Sequence, residues 1–124
     1  MRNIILASQS PRRADLLRAM GVTFTAVVSD FEEELDDARS PEDVAVELGS
    51  GKARTVARKY REAIVIGSDC IVALGNRQLG KITSFEEALV LFETYAKQPV
   101  RVITSLVVVC ESMHYYKAVA DTAV

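Results

Sequence analysis

One stretch of twelve residues, 63–74, constrains the fold of this chain more than any other. Its sequence, AIVIGSDCIVAL, is almost continuously apolar, and such a run is typical of a strand buried on both faces of a sheet. Predicted helices and strands alternate along most of the chain around it. This alternation predicts an α/β fold in which a sheet packs against helices.

Turn and capping residues mark the other predicted elements. Strands are predicted at residues 3–7, 23–28, 78–79 and, as a hairpin, within 100–124. Helices are predicted after the serines that can cap a first turn, which are Ser10, Ser40 and Ser84. The first helix should end at Gly21 and the second at about Tyr60. All 124 residues are expected to form one domain, 1–124, which is long enough to bury a core.

Charge and cysteine content exclude several kinds of partner and site. The formal net charge of −2 provides no basic field that would favour DNA or RNA. Cys70 and Cys110 lie forty residues apart without a CxxC pair, which argues against a zinc site and a disulfide framework. The apolar runs are too short for a signal-peptide core or a membrane span. We therefore expect a cytoplasmic protein without polynucleotide or membrane partners.

The segment LASQSPRRADLL, residues 6–17, places hydroxyls and arginines at the start of the first predicted helix. N–H groups at a helix N-terminus are unpaired and favour an anion. Ser8 and Ser10 add hydroxyl donors, and the guanidinium groups of Arg12 and Arg13 suit phosphate oxygens. Arginines in a first turn interact unfavourably with the helix dipole, which favours a binding role. A serine-capped helix with two solvated arginines accounts for the pattern equally well at this point.

The segment GSGKA, residues 49–53, resembles a phosphate-binding P-loop but lacks its spacing. A P-loop requires a glycine where this chain has Val46, and it follows a strand, whereas this segment lies in a helical pattern. Lys52 instead continues an apolar stripe with Leu48 and Val56 at a spacing of four residues. Its ammonium group either extends to water or meets a buried anion.

Asp69 interrupts the apolar run at 63–74 and is the strongest single candidate for chemistry. An ionised carboxylate in such a strand is costly unless it is paired, hydrogen-bonded or bound to a metal. Strand ends of open α/β sheets are also where ligands bind. The alternative is that Asp69 caps a turn at Gly67 and Ser68. Cys70 either lines the same pocket as Asp69 or is a buried thiol.

An acidic loop, SDFEEELDDAR at residues 29–39, supplies further carboxylates. Most of them must be solvated, because Mg²⁺ usually takes only one or two carboxylates together with substrate phosphates. Lys81 lies in a loop between a strand and a helix. Arginines, lysines, hydroxyls and carboxylates in this combination suit a metal-bound polyphosphate better than covalent catalysis.

Five short motifs occur in the order that characterises one family of nucleotide hydrolases. ILASQSPRRADLL resembles the opening L-A-S-x-S-P-R-R run of the Maf family of nucleoside triphosphate pyrophosphatases, also described as septum-formation inhibitors. SDFEE resembles the acidic D-x-D-E segment, GKA a lysine motif, VIGSDCIVAL the G-A/S-D-T strand, and LGK a second lysine motif. The resemblance covers essentially the whole chain. It implies a mixed, twisted sheet flanked by helices, of the Maf and ITPase-like kind, which is incomplete at its C-terminus relative to the family.

The resemblance also implies an activity and roles for individual residues. The activity is hydrolysis of a nucleoside triphosphate to a monophosphate and pyrophosphate with a divalent cation, Mg²⁺ or Mn²⁺. Asp69 matches the catalytic aspartate that accepts a proton from the attacking water, Glu33 matches a metal or active-site glutamate, and both are expected metal ligands. The full set expected to act in catalysis comprises Asp69, Glu33, Lys52 and Lys81. The expected phosphate-binding residues are Ser8, Ser10 and Arg13.

Substrate choice is expected to depend on Arg12 and Cys70. Arg12 matches the branch of the family that acts on dTTP and UTP, whereas Cys70 stands where that branch has threonine. Family members continue beyond Val124, and we expect the continuation to bring a glutamine that reads the base and much of a homodimer surface. The alternatives to the enzyme are a catalytically weak, nucleotide-binding regulatory protein related to septum formation and a truncated, inactive fragment.

Overall fold

The structure, a computed structural model, describes residues 2–75, 77–79, 84–94 and 96–124. Its elements follow in the order β1 (Ile4–Leu6), α1 (Pro11–Ala19), β2 (Thr25–Ala26), α2 (Pro41–Ala57), β3 (Ile64–Leu74), β4 (Arg77–Leu79), α3 (Phe85–Thr94), β5 (Val100–Cys110), a 3₁₀ turn (Glu111–Met113) and β6 (Tyr115–Ala123). The predicted α/β architecture with a mixed sheet is confirmed.

Serine side chains begin each of the three α-helices in the described part of the chain, as the sequence predicts. The Oγ atoms of Ser10, Ser40 and Ser84 each accept a hydrogen bond from the backbone N–H three residues later. Such caps satisfy N–H groups that have no partner inside the helix. α2 ends at Ala57, earlier than predicted, because residues 58–60 close into a turn on Val56 and Ala57. Among the described residues, no helix combines the length and apolar character that crossing a bilayer requires.

Two short strands share one edge of β3 in a way that leaves room for a site between them. Its order is β2-β1-β3-β5-β6, with β1 parallel to β2 and β3, and β5 antiparallel to β3 and β6. β5 pairs with β3 along almost its whole length, so β1 and β4 share the opposite edge of β3. β1 pairs with residues 64–66 and β4 with residues 72–74. Among the described strands, none pairs with residues 67–71 at that edge.

Helix α2 covers one face of the sheet at β3 and β5 and forms two apolar clusters with it. The first cluster contains Val56 of α2, Val65 of β3 and Val107 of β5. The second contains Leu48 of α2, Ile71 of β3 and Ile103 of β5. Between them lies a layer of small and polar residues, which comprises Gly49, Lys52, Gly67, Asp69 and Ser105. The candidate site is therefore built into the core, between two apolar clusters that hold α2 on the sheet.

The expectation that the run at 63–74 is buried on both faces is wrong for one face. Residues that point towards α2 are buried, whereas on the opposite face Cys70 is exposed and Ile66 and Val72 are half-buried. Neighbouring Leu106 of β5 is 48% exposed on that same face. A nearly continuous apolar sequence does not reveal whether an element covers its second face, and α2 covers only the first.

Candidate functional site

Lys52, Asp69 and Glu33 meet at the centre of the polar layer. Lys52 Nζ donates a hydrogen bond to Asp69 Oδ1 at 3.0 Å and also forms an ion pair with Glu33 Oε1. The side chains of Asp69 and Lys52 are only 8% and 17% exposed, whereas that of Glu33 is 50% exposed. Asp69 lies inside the regular strand β3, so the alternative that it caps a turn at Gly67 is wrong. The ammonium group of Lys52 meets a buried anion, which is one of the two alternatives that its sequence context left open; it does not extend to water.

Two glycines bring α2 close enough to β3 for this pairing. A Cβ atom on Gly67 would lie 2.5 Å from the carbonyl oxygen of Gly49 and 2.8 Å from Ala53 Cβ. A Cβ atom on Gly49 would lie 2.7 Å from Ser105 Oγ. Such distances leave no room for a side chain at either position. The close approach of the two backbones lets a lysine in the middle of a helix reach a carboxylate in the middle of a strand.

Burial and charge act in opposite directions on the two partners. Burial raises the pKa of Asp69 above its ordinary value, because the charged carboxylate loses water; the hydrogen bond from Lys52 and the nearby charge of Arg13 only partly oppose this. For Lys52, burial lowers the pKa, but hydrogen bonds and charge from Glu33 and Asp69 outweigh burial and raise it. Lys52 is therefore a cation at neutral pH, and Asp69 is a carboxylate that binds a proton more readily than a solvated one.

Ser105 holds the backbone of Asp69 from the neighbouring strand, a contact that the sequence analysis missed. Its Oγ atom accepts a hydrogen bond from Asp69 N–H at 3.0 Å and donates one to the carbonyl oxygen of Ala45 at 2.7 Å. Ser105 is completely buried. One hydroxyl thus ties β3, β5 and α2 together behind the carboxylate. The signal that was available is that Thr104 and Ser105 interrupt the apolar stretch 102–110.

The start of α1 forms one wall of a cleft next to this pair. The cleft has a volume of about 320 Å³ and is lined by Ala7, Ser8, Gln9, Ser10, Arg13, Ser29, Glu33 and Lys52. Ser8 Oγ accepts hydrogen bonds from Ser10 N–H at 3.0 Å and from Arg13 NH1 at 3.4 Å. Asp69 does not line the cleft but contacts Lys52, which does. The cleft combines a helix N-terminus, hydroxyls and two cations, which is an environment suited to phosphate oxygens.

The acidic loop that carries Glu33 is held by a residue of β4 that the sequence analysis did not single out. Gln78 is buried, and its Nε2 donates hydrogen bonds to the carbonyl oxygens of Asp36 and Arg39 at 2.8 and 3.0 Å. Its backbone N–H donates to Asp37 Oδ1 at 2.8 Å. Gln78 therefore fixes the far end of the loop against the sheet. A lone glutamine in a three-residue strand carries no sequence signal of this role.

Two of the predicted site residues, Arg12 and Cys70, lie away from the cleft in the described structure. Arg12 is exposed on the first turn of α1 and does not line the cleft. Cys70 is exposed on the face of β3 opposite Asp69, because neighbouring residues of a strand point to opposite faces, and it is therefore not a buried thiol. Lys81 lies outside the described residues. Ser8, Ser10, Arg13, Glu33 and Lys52 line the cleft, and Asp69 contacts Lys52.

The two carboxylates at Lys52 are the groups in this cluster with the chemistry of a hard-cation ligand. Glu33 and Asp69 both contact the same ammonium nitrogen, so their oxygens converge on one position that a cation already occupies. Within the part of the chain that the structure describes, no group of three or more histidine, cysteine, aspartate or glutamate side chains forms a ready metal site. Any divalent cation bound here would thus require ligands beyond the protein's two carboxylates, as Mg²⁺ bound to a phosphate substrate has.

Comparison with known proteins identifies the family. A dTTP/UTP pyrophosphatase of Desulforamulus reducens is 41% identical to this chain over 109 residues, which are 88% of this chain and 57% of that protein. One of Bacillus cereus is 38% identical over 111 residues, which are 90% of this chain and 58% of that protein. The chain thus spans somewhat more than half the length of these curated relatives.

Solved structures show the same fold at low sequence identity. The Ham1 protein of Staphylococcus aureus matches with a TM-score of 0.65 at 13% identity, over 98% of this chain and 70% of that one. A Vibrio cholerae protein matches with a TM-score of 0.53 at 12% identity, over all of this chain and 62% of that one. A family model described as Maf-like protein matches residues 3–124. This chain therefore belongs to the Maf family.

Proposed function

We propose that this chain hydrolyses nucleoside triphosphates to a nucleoside monophosphate and pyrophosphate. The observation that carries the proposal is that Lys52, which pairs with Asp69, lines the same cleft as the N-terminus of α1. The relatives named dTTP/UTP pyrophosphatase support dTTP and UTP as the substrates to try first. Arg12 and Cys70 stay predictions for the choice of base, and Lys81 stays a prediction for phosphate handling.

The phosphate chain of the substrate would bind between α1 and Lys52. The N–H groups at the start of α1, the hydroxyls of Ser8 and Ser10 and the guanidinium of Arg13 supply donors on one side. Lys52 supplies a mobile cation on the other side. In the described structure its charge is balanced by Glu33 and Asp69, and we infer that a triphosphate draws the ammonium towards its own oxygens. Donors aimed at developing phosphoryl charge are the main means by which such sites accelerate a reaction.

Asp69 would act as the base once Lys52 has turned towards the phosphates. Water attacks the α-phosphorus, a new P–O bond forms, and the bond from the α-phosphorus to the α–β bridging oxygen breaks. The bridging oxygen leaves with pyrophosphate, and the proton of the attacking water passes to Asp69 Oδ1. A positioned base contributes about 10²–10⁴ in rate. A raised pKa makes Asp69 a better acceptor than a fully solvated carboxylate.

Glu33 and Asp69 would hold a divalent cation, Mg²⁺ or Mn²⁺, with the phosphate oxygens completing its coordination. Two carboxylates are the usual protein contribution to a magnesium–nucleotide site, so the residues present fit the ion. When bound, the cation supplies positive charge that offsets the phosphate oxygens. We further propose that 1–124 acts as one domain in the cytoplasm, where its two free cysteines stay reduced, and a homodimer is compatible with this proposal.

A nucleotide panel with the purified chain tests the proposal. We expect release of pyrophosphate from dTTP or UTP in the presence of Mg²⁺ or Mn²⁺, and loss of that release in Asp69→Asn. Asp15→Asn is the matched control, because Asp15 is exposed on α1 and pairs only with Arg18 among the described contacts. The proposal is wrong if no triphosphate yields pyrophosphate and Asp69→Asn behaves like the unaltered chain. Tight binding of dTTP by calorimetry without turnover would instead support a regulatory nucleotide-binding protein.

A further inference from the structure

The ring of Phe31 is seated directly on Gly51. Three ring atoms of Phe31, Cζ, Cε1 and Cε2, occupy the space that a Cβ atom on residue 51 would take. The ring is half-buried and packs against the apolar cluster of α2, β3 and β5 that contains Leu48 and Ile71. A glycine inside a helix is less favourable than an alanine. At this position, however, it is the residue that leaves room for the ring.

This contact lies next to the ion pair of the candidate site along both chain segments. Gly51 immediately precedes Lys52 on α2, and Phe31 precedes Glu33 by two residues in the acidic loop. The structure thus joins the loop to the helix twice within three residues, once by an apolar contact and once by the ion pair of Lys52 and Glu33.

Among the described contacts, the other ion pair near this part of the acidic loop is the exposed one of Asp30 with Lys59, at 3.8 Å. Residues 32–40 are all exposed, and carboxylates of like charge crowd the loop and repel each other. A half-exposed ion pair contributes little to holding a loop, because water screens it. Gln78 fixes the loop only at residues 36–39. The Phe31 ring is the apolar anchor on the other side of Glu33.

We propose that Phe31 is a positioning residue that, seated on Gly51, holds Glu33 beside Lys52. This inference deepens the proposed function, because Glu33 is one of the residues assigned to that site. Phe31 itself touches no reacting atom in the proposal. It acts by keeping the Glu33 carboxylate where it meets both the ammonium of Lys52 and the open cleft.

Two single variants and their combination test the contact without relying on any activity. Hydrogen exchange of the amides in residues 29–39 is measured for Gly51→Ala, Phe31→Ala and the double variant, with no nucleotide or metal present. Each single variant should increase that exchange by about tenfold, the factor that corresponds to 1.4 kcal/mol. The double variant should exchange no faster than Phe31→Ala alone, because a methyl group at position 51 fits once the ring is gone. Phe85→Ala is the matched control, since Phe85 is 81% exposed on α3.

A kinetic measurement then separates positioning from mere stability. If the proposed activity is present, Phe31→Ala should lower kcat/KM for dTTP by about tenfold while exchange in β5 stays unchanged, and Phe31→Leu should restore most of the loss. Unchanged loop exchange in both single variants, or additive effects in the double variant, would overturn the proposal. If Phe31→Ala also increases amide exchange in β5, the contact is tested with Phe31→Leu and Gly51→Ala instead, by exchange in residues 29–39. If no chain hydrolyses a nucleotide, the proposed function fails, while loop exchange still decides the role of Phe31.

Discussion

Lys52 Nζ lies 3.0 Å from Asp69 Oδ1, and this hydrogen bond joins the middle of α2 to the middle of β3. The two residues are seventeen positions apart in the chain and lie between two apolar clusters. The clusters hold the helix on the sheet, and the polar pair occupies the gap between them. The stability of the fold and the proposed hydrolysis therefore both depend on the contact between Lys52 and Asp69. Experiments can measure the two effects separately.

Replacing Lys52 by methionine should destabilise the fold as well as abolish nucleotide turnover. The change keeps the length of the side chain but leaves Asp69 buried without its partner, which costs about 1–3 kcal/mol for an unsatisfied group. Urea unfolding at neutral pH measures the loss. Lys59→Met is the control, because Lys59 is 65% exposed and its ion pair with Asp30 spans 3.8 Å. A smaller loss for Lys52→Met than for Lys59→Met would contradict the burial of the pair.

The raised pKa of Asp69 predicts a definite sign for the pH dependence of stability. Because the folded protein holds this proton more tightly, it binds more protons than the unfolded chain at pH values between the ordinary carboxyl pKa of about 3.9 and the higher folded value. This contribution is fully present below the ordinary value and is lost as the pH rises through the folded one. Urea unfolding of the unaltered chain and Asp69→Asn in a chelator-containing buffer should show Asp69→Asn gaining relative stability across that window. A difference that does not change with pH would exclude the raised pKa.

Arg13 is expected to act on the phosphates rather than on the fold. Arg13→Lys keeps the charge but removes the fork of donors, so KM for dTTP should rise by about tenfold, the effect of losing roughly 1.4 kcal/mol of binding. Steady-state pyrophosphate release measures the change. Arg18→Lys on the same helix should leave KM unchanged, because Arg18 is exposed and pairs with Asp15. Equal effects of the two variants would place the phosphates elsewhere.

Ser105→Ala should destabilise the fold by about 1–3 kcal/mol, because it removes the buried hydrogen bonds of this hydroxyl, one of which is accepted from the N–H of Asp69. The variant also removes the hydrogen bond to the carbonyl oxygen of Ala45. Chemical denaturation is compared with that of Thr104→Ala, whose side chain is exposed on the opposite face of β5. If the two variants lose the same stability, the hydroxyl of Ser105 does not support Asp69.

Gly67→Ala should push α2 away from the sheet. The added methyl group meets the backbone oxygen of Gly49, which cannot turn aside, and overpacking of this kind costs about 1–3 kcal/mol. Thermal unfolding measures the loss, and Gly21→Asn serves as control, because Gly21 has open space around it and a φ of 80° that asparagine tolerates. An unchanged melting temperature for Gly67→Ala would show that the helix and strand are not in such close contact.

Several features of the site could be predicted because they depend on short stretches of sequence. Ser10 caps α1 through the N–H of Arg13, three residues away. A single charged residue in an apolar pattern needs a partner wherever the pattern is buried, and this applied to both Lys52 and Asp69. The order of the five motifs indicated the Maf family, which the family model matching residues 3–124 confirms.

Other features depend on contacts between segments that are distant in the chain. The sequence did not indicate that Gln78 holds the acidic loop or that Ser105 supports Asp69, because single polar residues in short or apolar strands have many other uses. The sequence also did not indicate that α2 covers only one face of β3. Apolar residues throughout the run 63–74 predicted two buried faces, and Cys70 proved exposed.

The sequence by itself determined where the described helices begin, which residues carry charge into apolar surroundings, and to which family the chain belongs. The first two properties follow from capping and periodicity, which act over a few neighbouring residues, whereas the family is indicated by the resemblance of five ordered motifs. Only the tertiary structure decided that Lys52 pairs with both Asp69 and Glu33 and that the ring of Phe31 lies on Gly51. The reason is geometric: α2 approaches β3, and the acidic loop approaches α2, only because glycines remove the side chains that would keep them apart.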